Sequence, residues 1–137
     1  MTADVALAKL ATIERCLGRI RDVTAGNPDA VDDLNTEDIV VLNLQRAIQA
    51  AIHLAAHLIA GRRWGLPDSL KAHFAILASH GVIDAELSER LQAMAGFRNI
   101  AVHDYERIDR AVLKSILRTR LVDLEAFARA AKIFLAL

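Results

Sequence analysis

The chain has 137 residues, of which 54% are hydrophobic and only 4% aromatic, and its 17 Lys+Arg balance 17 Asp+Glu. That length predicts one domain over 1–137, and a core of Ala, Leu, Ile and Val suits packed helices better than a β-sandwich. Zero net charge excludes a global basic field, one cysteine (Cys16) excludes an intrachain disulfide, and the start lacks a signal pattern, so a cytosolic, non-membrane protein is expected.

The periodicity predicts five helices. The first spans about Asp4 to Thr24, with Leu10, Ile13, Leu17 and Ile20 at helical spacing, and Gly26-Asn27-Pro28-Asp29 breaks it. The second spans about Thr36 to Ala60, with Asn35 as N-cap, Leu34 and Ile39 as a hydrophobic staple, and Gly61 as its end. It is apolar around most of its circumference, which predicts burial on several sides. The third, about Asp68 to His80, carries Leu70, Phe74 and Leu77 and stops at Gly81. The fourth starts near Asp84. The fifth runs from about Asp109, its N-cap, to Leu135. No strand-like alternation intervenes. The fold class is an all-α antiparallel bundle with short connections.

The fourth helix ends in Arg98-Asn99-Ile100-Ala101-Val102-His103-Asp104-Tyr105. On a wheel of 100° per residue, Arg98 and Tyr105 fall on the stripe of Leu87, Leu91, Met94 and Val102, where binary patterning wants an apolar residue. Such violations mark functional positions. His103 falls about 140° from Arg98 on an ideal helix. Either the helix ends or kinks between them, or a second copy of the chain completes the site, with two Arg98 and two His103 meeting in one cleft.

Arginine offers a permanent planar cation to phosphate oxygens, histidine exchanges a proton near neutral pH, and Asn99 can orient either. Together they suit cleavage of RNA by its own 2′-hydroxyl, without a metal or cofactor. DNA, which lacks that hydroxyl, is expected to resist. The structural alternative pairs Arg98 with a buried carboxylate and leaves His103 and Tyr105 as packing residues.

The segment resembles the R-x4-H-x-Y signature of the HepT toxins in the HEPN superfamily. Leu66-Pro67-Asp68-Ser69, Gly81-Val82-Ile83-Asp84 and Met94-Ala95-Gly96-Phe97 resemble the family's linking segments, from about Leu44 to Phe127. The resemblance implies a HEPN-like helical homodimer with a composite cleft. It implies a metal-independent ribonuclease toxin paired with a minimal nucleotidyltransferase antitoxin. Arg98 and His103 would be the catalytic pair with Asn99 beside them, and Tyr105 the tyrosine to which the partner adds AMP. A non-catalytic helical partner of a nucleotidyltransferase is the alternative.

Other candidates are weaker. Residues 98–120 hold six cations, Arg107 among them, against three acids. That is a weak patch or a solvated face. Arg46, Gln49, His53 and His57 make a polar stripe on the second helix that lines the cleft floor or faces solvent, and His53 and His57, four apart, could share a metal. Arg62-Arg63-Trp64 could hold a phosphate and stack a base, or cover the end of the bundle. Arg62, Arg63 and Arg107 are thus the possible RNA contacts, and no metal site is expected.

Overall fold

The computed structural model describes residues 2–137; Met1, the first residue of the expected domain, lies outside them. Six helices and no strands are found among the described residues. They are α1 (Thr2–Thr24), α2 (Leu34–Arg62), α3 (Leu70–Ser79), α4 (Ala85–His103), α5 (Arg110–Thr119) and α6 (Leu121–Leu135), with 3-10 turns at Pro28–Asp32 and Tyr105–Arg107.

α2 is the centre. It packs along α1 and also meets α3, α4 and α6. Lys9 near the start of α1 reaches His53 in the second half of α2, so the two run antiparallel. α1 and α6 are antiparallel too, since Arg21 pairs with Glu125 and Glu14 with Lys132. By length and composition α2 could cross a membrane. Val40, Val41, Leu44, Ile48, Leu54 and Leu58 are instead buried in this domain, which makes it a core helix. Phe74 of α3 and Phe127 of α6 meet edge to face, 5.7 Å apart, and both are fully enclosed. Such a pair adds roughly 0.5–1.5 kcal/mol beyond area burial.

Several expected boundaries move. α2 is capped by Asp33, whose carboxylate accepts from the Thr36 amide at 3.0 Å. Asn35 lies inside the first turn and Leu34 is exposed, so the expected cap and staple do not form. A carboxylate satisfies the first-turn amides and also complements the positive end of the helix dipole, which an asparagine cannot do. α2 also runs through Gly61. Arg63 takes the left-handed conformation (φ 56°), closing the helix with bonds from the Arg63 and Trp64 amides to Ala60 and Ile59 carbonyls. At α3, Gly81 fills that role as expected, with φ 76°.

The expected fifth helix is two helices, broken at Arg120. No Gly or Pro marks the break. The Thr119 hydroxyl donates to the Ser115 carbonyl at 3.0 Å, the back-bonding that bends helices. The bend lets α6 turn Leu121, Leu124, Phe127, Ala128 and Ala131 into the core. It also buries Asp123, which accepts from Arg90 Nε of α4 at 2.8 Å.

Candidate active site

α4 is capped by Asp84, which accepts from the Leu87 amide at 2.7 Å, and it continues without interruption to His103. Its inner face holds Leu87, Leu91, Met94, Phe97 and Ala101. This corrects the expected stripe. After Met94 the inward position falls between residues 97 and 98 at 3.6 residues per turn. Phe97 takes it, because burying an aromatic ring is favourable and burying a guanidinium is not. Arg98 is left half-buried at the border, and Val102 is exposed.

Arg98 Nη1 donates to Asn99 Oδ1 at 3.3 Å. Among the described residues no carboxylate forms an ion pair with Arg98, and its Nε is buried without a hydrogen-bond partner. The reading of Arg98 as half of a buried ion pair therefore fails. Asn99 and His103 are exposed. Because the helix neither ends nor kinks between Arg98 and His103, about 140° of rotation still separates them. One chain does not bring the two side chains to one point.

Tyr105 sits beyond the helix end, in the 3-10 turn, 44% exposed, and not on the inner face. Its hydroxyl donates to Asp38 Oδ1 at the start of α2. Partial burial, and then the carboxylates of Asp38 and Glu37, push its pKa up to about 12. The ring borders a cavity of about 390 Å³ with Glu37, Glu106 and Arg110. Asp38 was not legible as a site residue, since an exposed acid near the start of a helix reads as dipole complementation.

The polar stripe of α2 lies beside this helix. His53 Nδ1 accepts from Lys9 Nζ at 3.2 Å, and Nε2 lies 2.6 Å from the side-chain amide of Gln49. Both ring nitrogens are thus engaged. Burial first, then the charges of Lys9, Arg98 and His73, lower the His53 pKa. No group of three or more His, Cys, Asp or Glu suited to a metal ion occurs among the described residues.

Residues 13–131 match the sequence pattern of the ribonuclease HepT-like family. The chain belongs to that family. It is 37% identical over 124 residues to the mRNA nuclease HepT of Shewanella oneidensis, covering 90% of this chain and 93% of that one. Among solved structures this HepT-like chain resembles a tri-AMPylated Shewanella oneidensis HEPN toxin in complex with MNT antitoxin. There the identity is 36% and the TM-score 0.89, over 95% of this chain and 98% of that one. It also resembles a toxin–antitoxin complex with AMP-PNP, at 35% identity and TM-score 0.89, over the same shares of both chains.

The remaining candidates of this HepT-like chain lie apart. Arg62 is 24 residues beyond Asp38 on α2, about 36 Å along a helix. Its guanidinium lies 4.6 Å above the Phe134 ring. Trp64 stacks on His80 with centroids 4.0 Å apart and covers that end of the bundle. Arg107 approaches Asp104 at 3.6 Å. The basic excess of 98–120 is mostly cancelled: Arg110 pairs with Glu37, Lys114 with Asp29 and Asp32.

Proposed function

We propose that this chain is a metal-independent endoribonuclease toxin, acting in the cytosol as a homodimer. A minimal nucleotidyltransferase partner neutralises it by adding AMP to Tyr105. Membership of the HepT-like family and the likeness to an AMPylated toxin bound to its antitoxin support the class. One observation carries the geometry: α4 is unbroken from Arg98 to His103. A pair held about 140° apart on one rigid helix converges on a phosphate only when a second α4 supplies the other group. Ile100 and Val102, 40% and 39% exposed on the last turns of α4, give that contact apolar surface.

In this cleft His103 takes the proton of the RNA 2′-hydroxyl. The oxygen attacks the adjacent phosphorus, the 5′-oxygen leaves with a proton returned by an imidazole, and a cyclic phosphate remains. Arg98, oriented by Asn99, stabilises the charge on phosphorus. In AMP transfer the Tyr105 oxygen attacks the α-phosphorus of ATP and pyrophosphate leaves. The product places bulk and a negative charge beside a cleft built for phosphate.

Subunit mixing is the test. Arg98→Ala and His103→Ala homodimers should each be inactive in EDTA. Dissociated and reassociated together, they should recover a substantial fraction of activity, because one mixed cleft holds an intact Arg98 and an intact His103 from opposite subunits. No recovery in verified mixed dimers places the pair within one subunit and ends this reading.

A further inference from the structure

Net neutrality conceals a segregation of charge. From Ile39 to Arg62 in α2, throughout α3, and from Arg90 to His103 in α4, the sequence contains no Asp or Glu. These stretches carry Arg46, His53, Lys71, His73 and Arg98. α1 adds Lys9, which is hydrogen-bonded to His53. The acids lie elsewhere. Asp29, Asp32 and Glu37 serve Arg110 and Lys114, Glu14 serves Lys132, and Glu125 serves Arg21.

Four helices bring the basic groups to one corner. Lys9 touches His53, and Arg98 and His73 lie close enough for their charges to act on that ring. The corner also holds two unsatisfied buried polar atoms, Arg98 Nε and, at the inner end of the Gln49 amide, the atom assigned as Oε1. Lys9 can only donate, so His53 Nδ1 is unprotonated and Nε2 carries the ring proton. Gln49 then presents its oxygen to that proton and turns its NH2 group inward. Two buried donors without an acceptor, beside the cations of Lys9 and Arg98, describe a site waiting for an anion.

We propose that Lys9, held in place by His53, and His73, beside Arg98, form a subsite for the RNA backbone that holds a phosphate next to the one being cleaved. The subsite rests on the ribonuclease reading above. RNA is favoured because the Lys9 ammonium and the Arg98 guanidinium, brought together from two helices, match phosphate oxygens.

The test measures binding and turnover separately. Wild type, Lys9→Ala, His73→Ala and the double variant are titrated against a fluorescent 2′-O-methyl RNA, which cannot be cleaved, over a series of salt concentrations. Each lost phosphate contact should lower the slope of log K against log salt by about 0.7. On cleavable RNA, KM should rise several-fold with kcat nearly unchanged, and Lys9→Arg should restore both readouts. Lys132→Ala, whose cation pairs with Glu14 on another face, should bind like wild type.

Cleavage by the wild type with unchanged slope and KM in the double variant overturns the subsite. So does loss of antitoxin binding alone. A changed slope in a protein that never cuts RNA keeps the phosphate site and removes the ribonuclease reading instead.

Discussion

Tyr105 is the chain's only tyrosine, so the near-ultraviolet absorbance of phenolate reports it without a label. Folded protein should titrate near about 12, and unfolded protein near about 10. Asp38→Asn should bring the folded midpoint down, since it removes a carboxylate that opposes ionisation. The phenol's folded pKa is raised, so its contribution to stability is complete below the unfolded value and lost as pH rises through the folded one. Arg98 makes a different prediction. Its Nε is buried without a partner, so Arg98→Leu should raise stability by about 1 kcal/mol while abolishing cleavage. Chemical denaturation paired with an RNA-cleavage assay checks both. Arg98 was legible through the Arg98-to-Tyr105 motif and not through the stripe, since Phe97 takes the inward position and Arg98 sits at its border. Asp38 and Lys9 were not, because their significance depends on helices that meet only after folding.

Helix capping was half legible for a physical reason. Several residue types can cap, and which one does depends on where the preceding turn delivers the chain. Asp33 rather than Asn35 opens α2, and its hydrogen bond from the Thr36 amide holds its pKa below the ordinary carboxylate range. Asp33→Ala should lower Tm at neutral pH. The gap from wild type should close as pH falls through the depressed folded pKa, because the advantage exists only while the carboxylate is charged. The break between α5 and α6 was illegible, since it arises from a threonine back-bond and from packing instead of a glycine or proline. What the break permits is the insertion of Phe127 against Phe74. Phe127→Ala should destabilise by about 3–5 kcal/mol, read from a urea melt.

At the scale of the molecule, composition indicated an all-α fold, and HEPN architecture is what the solved relatives share. Composition could not reveal how charge is distributed, because a balanced total is compatible with any arrangement of its parts. The divergence of Arg98 and His103 was legible, since a helical wheel suffices to separate them on one unbroken helix. Trp64, the only tryptophan, lies flat on His80 at the far end of α2 from Tyr105. The protein thus carries one natural chromophore at each pole. Indole emission should follow loosening of the distal end, and phenol absorbance should follow the adenylylation proposed for Tyr105, so the two events can be timed in a single cuvette.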